Sequence, residues 1–298
     1  MDAIKSLVKL GVDPTTPNNY GDTPVYIAAQ EGHVDVIREL VRLGAEVNAP
    51  TSTGFTPLLI ATQEGHVDAV RVLADLGADL ISPVNNGATP VNIAAQNGHA
   101  DVIRLLASRG ADVNTPMTDG SSPVFSAAFG NHFEAIQALA QLGADVNVAE
   151  ADGVTPVCAA AQEGNLEAIV VLAQCGADLD LPSHDGSSPV LIAAQNQHLN
   201  VIKFLKLLGA KMVTLPQPSL VHTQDEITEG PAINYEEAIS TLENTLKHME
   251  TDCECCGLAS NHLKVCSRCG KVRYCSRDCQ VQDYKKHKKI CLLLTCKK

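Results

Sequence analysis

The stretch GDTPVYIAAQEGHVDVIRELVRLGAEVN, residues 21–48, decides the fold. Thr23 can cap a helix with its side chain, and Pro24 suits the first helical position because its missing N–H is not needed there. Gly32 allows the chain to turn before a second helix, whose apolar residues recur at helical spacing, and Gly44 ends that helix in a left-handed cap. The stretch therefore predicts two short helices joined by a tight turn.

The same pattern returns with a period of 33 residues across most of the first 210 positions. Three positions keep the step throughout: Gly21, Gly54, Gly87, Gly120, Gly153 and Gly186; Pro24, Pro57, Pro90, Pro123, Pro156 and Pro189; and Gly44, Gly77, Gly110, Gly143, Gly176 and Gly209. One unit could not bury both of its faces alone, so successive units must stack. The sequence predicts a solenoid in which each unit contacts its neighbours.

The pattern resembles ankyrin repeats at its TP, AA, GH and GADVN-type positions. Six full copies cover about residues 18–212, and a preceding half copy, Met1–Gly11, matches Val34–Gly44. The resemblance implies a mostly α fold with an ankyrin-repeat solenoid over residues 1–212. It also implies protein binding through the hairpin tips and the adjoining first helices, a concave face.

Two departures from the family pattern lead to expectations. The histidine of the family's TPLH motif is replaced in turn by Tyr26, Leu59, Asn92, Phe125, Cys158 and Leu191. We expect this to remove the usual hydrogen-bond link between repeats, so that local packing must compensate. The glycine of the helix–helix turn is replaced by Asn131 and Gln197, so repeats four and six are expected to be less regular.

Histidines and two cysteines within the repeats are interpreted as structural. The histidines stand at one place in five repeats: His33, His66, His99, His132 and His198. Side chains spaced along a row do not converge on one metal ion, so these are expected to be turn residues. Cys158 and Cys175 are expected to be small buried side chains. The repeats contain no phosphate-binding glycine loop and no nucleophile elbow, which favours a non-enzymatic array.

Charge and cysteine content divide the chain in two. Residues 1–252 hold 11 basic and 31 acidic side chains, a formal net charge of −20, whereas residues 253–298 hold 11 basic and 3 acidic ones, a net charge of +8. Nine of the eleven cysteines lie in the second part. The start, MDAIKSLVKLG, resembles no signal peptide, and no apolar run is long enough for a membrane span. We therefore expect an intracellular protein, in the cytoplasm or nucleus, whose thiols bind metal rather than form disulfides.

A linker over residues 213–252 separates the two parts. Its first half is rich in proline, glycine and polar residues, which is typical of a connector. Asn234 and Glu237 then form a start resembling a capping box, and apolar residues follow at steps of three and four. One amphipathic helix is predicted at about residues 234–250.

Residues 253–291 contain four pairs of metal-binding side chains, each pair separated by two or three residues, and we call each pair a hook. In chain order the hooks are Cys253/Cys256, Cys266/Cys269, Cys275/Cys279 and His287/Cys291. A basic tail follows over residues 292–298. The eight candidate ligands are Cys253, Cys256, Cys266, Cys269, Cys275, Cys279, His287 and Cys291. Eight sulfur and nitrogen ligands suit two tetrahedral Zn²⁺ sites. Spacing alone leaves two pairings open, one in which consecutive hooks share a metal and one in which alternate hooks do.

The string CECCGLASNHLKVCSRCGKVRYCSRDCQVQDYKKHKKIC resembles the MYND zinc finger, including its YCSxxCQ and HKxxC elements. The resemblance implies the cross-braced pairing, with Cys253, Cys256, Cys275 and Cys279 at one zinc ion and Cys266, Cys269, His287 and Cys291 at the other. Both Zn²⁺ ions are expected to be structural because every coordination position is filled. The resemblance also implies a shallow groove for a proline-containing peptide at Ser267, Gln280 and Tyr284, where Tyr284 replaces the family's usual Trp.

These features favour a non-enzymatic adaptor between proteins. The acidic repeats are expected to bind a basic protein segment rather than nucleic acid, and the finger is expected to recruit a second protein through a proline-containing peptide. The alternative is a transcriptional regulator that contacts nucleic acid through the basic zinc module. Thiolates and zinc together lower that module's charge to about +5, and no base-reading helix pattern is apparent, which disfavours the alternative.

Overall fold

The computed structural model describes residues 10–11, 13–210, 264–265 and 273–274. The chain divides into two compact units, residues 1–152 and 153–298, and each is described by itself. The predicted linker and its helix at residues 234–250 lie outside the described residues, as does nearly all of the N-terminal half copy.

Twelve helices in six pairs form the described part of the repeats. Unit 1 holds α1 (Pro24–Gln30), α2 (Val34–Arg42), α3 (Pro57–Gln63), α4 (Val67–Asp75), α5 (Pro90–Gln96), α6 (Ala100–Ser108), α7 (Pro123–Phe129) and α8 (Phe133–Gln141). Unit 2 holds α9 (Pro156–Glu163), α10 (Leu166–Gln174), α11 (Pro189–Gln195) and α12 (Leu199–Leu207). Within each unit, first helices pack on first helices and second helices on second helices of the next repeat. The predicted stack of helix pairs is confirmed.

Unit 2 also contains a short β ladder. Strand β1 (Lys264–Val265) pairs antiparallel with β2 (Arg273–Tyr274), with Lys264 opposite Tyr274 and Val265 opposite Arg273.

Each first helix begins as the sequence predicts. Proline occupies its first turn, and the Thr or Ser before it caps the helix in all six copies. In the first copy, the backbone N–H of Tyr26 donates to Thr23 Oγ1 at 3.2 Å. This bond satisfies one of the amide donors that a helix start leaves unpaired.

The second helices supply most of the large core side chains. Their largest fully buried side chains are those of Ile37, Leu73, Ile103, Leu106, Ile136, Leu139, Ile169, Leu172, Ile202 and Leu205. The first helices contribute fully buried alanines such as Ala29, Ala61 and Ala94, which let neighbouring helices approach closely. The core is therefore aliphatic, as the low aromatic content requires.

The turn between the two helices of a repeat needs one residue with positive φ. Gly32 has φ +68° there, and Asn131 and Gln197 adopt φ of +58° and +61°. The helices beside these two residues have the same lengths as in repeats one to three, seven and nine residues. The expectation that repeats four and six are less regular is therefore wrong, because both side chains accept the left-handed conformation.

The turn glycine has a second role, which is to make room for the histidine of the next repeat. A Cβ added to Gly98 would stand 2.5 Å from His132 Nδ1, and one added to Gly65 would stand 2.6 Å from the His99 ring. The same arrangement occurs in unit 2, between Gly164 and His198. The ring thus packs directly over the turn of the preceding repeat.

These histidines also link repeats by hydrogen bonds. The Nε2 atom of His66 donates to the carbonyl of Gln30 at 2.9 Å, and His99 and His198 make the same bond to Gln63 and Gln162 at 2.8 Å. The interpretation of the histidines as structural is confirmed for these three.

A second link replaces the missing TPLH histidine in two repeats. The buried Asn92 donates from Nδ2 to the carbonyl of Thr115 at 3.2 Å, and Cys158 Sγ lies 3.6 Å from the carbonyl of Leu181. Each acceptor belongs to the following repeat. The expectation that packing alone must compensate is therefore wrong for Asn92 and Cys158. Cys158 is buried as predicted, whereas Cys175 is only half-buried.

A third link uses the asparagine of the GADVN-type element, and one repeat in unit 1 lacks it. Asn48 Oδ1 accepts from the N–H of Asp79 at 2.9 Å, and Asn114 Oδ1 accepts from Asp145 at 3.0 Å. The equivalent residue between these two is Ile81, whose side chain is 65% exposed. Repeat two thus presents an apolar side chain to water where its neighbours make an inter-repeat hydrogen bond.

Restoring that asparagine is expected to stabilise the array. Ile81→Asn should raise the free energy of unfolding by about 1 kcal/mol, since an intramolecular hydrogen bond to the next repeat would form. The reverse change, Asn114→Ile, should lower it by a similar amount. Urea denaturation of the full chain, followed by circular dichroism, measures both. A loss with Asn114→Ile but no gain with Ile81→Asn would mean that repeat two cannot reach the bonding geometry.

Candidate functional site

The surface expected to bind partners consists of hairpin tips and first helices. In unit 1 it comprises residues 16–31, 49–64, 82–97, 115–130 and 148–152, and we call it the tip face. It carries six acidic residues, which are Asp22, Glu31, Glu64, Asp119, Glu150 and Asp152, and no Lys or Arg. Lys and Arg side chains of the described repeats all lie on or directly after second helices, at Arg38, Arg42, Arg71, Arg104, Arg109, Lys203 and Lys206. Basic residues of the described repeats are thus confined to the second-helix side, whereas acidic residues occur on both sides.

The tip face has a negative potential at two separate places. Burial raises the pKa of the Tyr26 hydroxyl, and the charges of Asp22 and Glu64 raise it further. Burial likewise raises the pKa of Glu150, with a further contribution from Asp152 and Asp119. Burial is the larger cause of both pKa shifts, and the smaller contribution comes from repulsion by the neighbouring carboxylates. A cationic group would relieve it.

One groove crosses the tip face between repeats two and three. It has a volume of about 200 Å³ and is lined by Phe55, Gln63, Val84, Asn86, Ala88, Ile93, Gln96 and Asn97. Its floor is a small apolar cluster in which Leu59, Ala88 and Ile93 are buried, with Phe55, Val84 and Met117 packed against them. Its other wall consists of amide side chains from the ends of α3 and α5.

Two hydrogen bonds from side chains to backbone carbonyls fix the helix ends that carry the amide wall. His99 fixes the end of α3 through its hydrogen bond to the carbonyl of Gln63. Asn97 donates from Nδ2 to the carbonyl of Ile93 at 2.8 Å, which fixes the end of α5. Both helix ends that carry the amide wall are therefore fixed by hydrogen bonds.

The three apolar side chains of the groove come together at this place because each stands at a different position of the repeat. The equivalents of Phe55 are Asp22, Ala88, Ser121, Val154 and Ser187; those of Val84 are Asn18, Thr51, Met117, Glu150 and Ser183; and those of Ile93 are Ile27, Ile60, Ser126, Ala159 and Ile192. No other pair of adjacent repeats combines an aromatic side chain with two aliphatic ones in this way.

Sequence reasoning missed this groove. The sequence predicted binding at the hairpin tips and first helices, but it indicated no groove between two particular repeats. The available signal was Phe55, the only aromatic residue at its position in six copies. Recognising the groove also required the register between neighbouring repeats, which the structure supplies.

The described residues contain no group of three or more His, Cys, Asp and Glu side chains able to hold a metal ion. Burial raises the pKa of the Cys158 thiol, which keeps it protonated and unreactive. None of the helices among the described residues is long and apolar enough to cross a membrane.

All eight predicted zinc ligands lie outside the described residues, as do Ser267, Gln280 and Tyr284. The ladder formed by β1 and β2 lies within this part of the chain. In the sequence, Cys266 directly follows β1 and Cys275 directly follows β2. The ligand set and its pairing remain predictions.

The described repeats define a class of protein, in which helix pairs stack and present an acidic tip face, and the sequence continues into a cysteine-rich segment. A family model described as "Ankyrin repeats (3 copies)" matches residues 1–84, 79–150 and 143–214, and one described as "MYND finger" matches residues 253–291. The chain belongs to the ankyrin-repeat family and carries a MYND zinc finger after its repeats.

A curated relative matches over a short stretch of the chain. The "Zinc finger MYND domain-containing protein 10 homolog" of Drosophila melanogaster is 46% identical over 43 residues, which are 14% of this chain and 10% of that protein. The chain thus matches about a tenth of that relative's length.

Proposed function

We propose that this protein is a non-enzymatic adaptor that joins two proteins. Its two parts, ankyrin repeats and a MYND finger, are protein-interaction modules of families that are typically non-enzymatic. The observation that carries the proposal is their combination in one chain with opposite net charges, −20 before residue 253 and +8 from there on. Two surfaces of such different chemistry favour two different partners.

The array is proposed to bind a basic segment of its partner. The absence of Lys and Arg from the described tip face, together with its six acidic residues, supports this choice. A phosphate backbone would be repelled there, whereas Lys and Arg side chains would be attracted.

The finger is proposed to hold two structural zinc ions in the cross-braced pairing and to recruit a proline-containing peptide at Ser267, Gln280 and Tyr284. The cysteine and histidine hooks within the matched residues support the presence of zinc. Zinc thiolates require reduced cysteines, so the proposed location is the cytoplasm or nucleus.

Affinity capture with the full chain tests the adaptor. We compare the wild type with Cys279→Ala, which removes a proposed zinc ligand, and with the matched control Cys296→Ala, a cysteine beyond the finger. Quantitative mass spectrometry should show that Cys279→Ala loses one set of captured proteins and retains another, while Cys296→Ala retains both. Identical capture by wild type and Cys279→Ala would contradict the two-partner proposal. Salt-dependent binding of duplex DNA by the wild type, lost in Cys279→Ala, would favour the nucleic-acid alternative.

A further inference from the structure

We propose that the groove between repeats two and three of unit 1 selects one large apolar side chain within the basic segment that the tip face binds. This inference rests on the proposed function and deepens it, since it names the residue that anchors the partner. Acidic side chains around the groove supply the attraction, and Phe55, Val84 and Ile93 supply the selectivity.

The dimensions of the groove fit such an anchor. A cavity of about 150 Å³ holds a benzene-sized group, so a groove of about 200 Å³ accepts the side chain of Leu, Met or Phe. Phe55 and Val84 are half-buried and Ile93 is almost fully buried, so the apolar surface is already assembled. Binding therefore requires little rearrangement of the protein, which favours affinity.

The carboxylates beside the groove determine which residues are preferred next to the apolar anchor of the partner segment. Glu64 follows Gln63 at the end of α3, and its carboxylate accepts from Gln63 Nε2 at 3.3 Å. On the other side Met117 packs against the groove floor, and Asp119 lies in the same hairpin tip. An apolar residue with Lys or Arg on both sides would place its charges near these carboxylates.

The amide wall suits the backbone of an extended segment. The side chains of Gln63 and Gln96 carry both donors and acceptors, which can pair with peptide N–H and C=O groups. Neither carries charge, so this wall adds binding without selecting for a flanking residue. The partner sequence that the groove recognises is thus short, with one apolar residue between basic residues.

Two labelled heptapeptides provide the test, KRKLKRK and KRKSKRK, which differ only in the central residue. Fluorescence anisotropy measures the affinity of each for the full chain at low and physiological salt. The wild type should bind the leucine peptide about tenfold more tightly than the serine peptide. Glu64→Gln should weaken both peptides by a similar factor and reduce the salt dependence.

The decisive variant is the double substitution Phe55→Ser with Val84→Ser. Serine stands at the equivalent positions of other repeats, at Ser121, Ser187 and Ser183, so the fold should tolerate both changes. In this variant the two peptides should bind equally, with the affinity of the serine peptide unchanged. Val154→Ser, the equivalent of Phe55→Ser in unit 2, is the matched control and should keep the tenfold preference. Thermal melting of each variant establishes that it is folded.

The outcomes separate this inference from the proposed function. Equal binding of both peptides by the wild type, or a preference that survives the double substitution, would overturn the selective groove and leave the acidic array as a binder of basic segments. Failure of the wild type to bind either peptide would overturn both.

Discussion

Removing zinc from the full chain is expected to abolish the folding transition of the finger and to leave that of the repeats unchanged. Structural zinc contributes about 10 kcal/mol or more of folding free energy per site in small zinc modules. A segment of 39 residues, 253–291, has too little core to fold without it. The repeats hold no metal group among their described residues and depend on aliphatic packing instead.

Differential scanning calorimetry with and without a chelator, together with elemental analysis for zinc, measures this prediction. Two zinc ions per chain and two separable transitions are expected, of which the chelator removes one. Cys279→Ala should mimic chelation, and Cys296→Ala should behave as the wild type. Fewer than two zinc ions would mean that the predicted ligand set is wrong, and a single transition would mean that the finger and the repeats do not fold independently.

Substituting the turn glycine of repeat three is expected to have the largest effect in the array. Gly98 has φ +77°, which costs any side chain about 1–2 kcal/mol. A Cβ there would also stand 2.5 Å from His132 Nδ1, and overpacking of this kind costs about 1–3 kcal/mol. Gly98→Ala should therefore lower the free energy of unfolding by about 2–4 kcal/mol.

The chain offers a matched control for that change. Gly110 has φ +92°, but a Cβ added there would meet nothing within 4 Å, so Gly110→Ala should cost only the backbone strain of about 1–2 kcal/mol. In a His132→Ala background the cost of Gly98→Ala should fall to the same value, because the clash is gone. Urea denaturation of the four variants gives the coupling energy. Equal costs for Gly98→Ala and Gly110→Ala in the wild-type background would show that the ring moves aside freely.

The helices were predictable because their signals are local. Thr23, Pro24, Gly32 and Gly44 each act within a few residues of their own position, so one repeat sufficed to place α1 and α2 and the period supplied the rest. The bond between His66 and Gln30 was not predictable in this way. It joins residues 36 apart and depends on how two repeats stack, which no local rule contains.

The candidate sites also differ in how far local sequence predicts them. The zinc ligands follow from hooks of adjacent residues, whose short spacing is itself the chelating geometry. Their pairing does not follow, because both pairings satisfy two tetrahedral sites. The groove beside Phe55 was missed because its walls come from two repeats, and only their observed register brings Val84 and Ile93 beside that ring.

The fit between a turn glycine and the next histidine means that the repeats are not interchangeable building blocks. Deleting repeat three would join Gly65 to the histidine at position 132, a compatible junction. Deleting repeat five would instead set His198 after Asn131, which has the positive φ of the turn glycine but carries a Cβ. Repeat four is followed by Asn165 in place of histidine, so natural shortening or shuffling of this array is restricted to particular junctions.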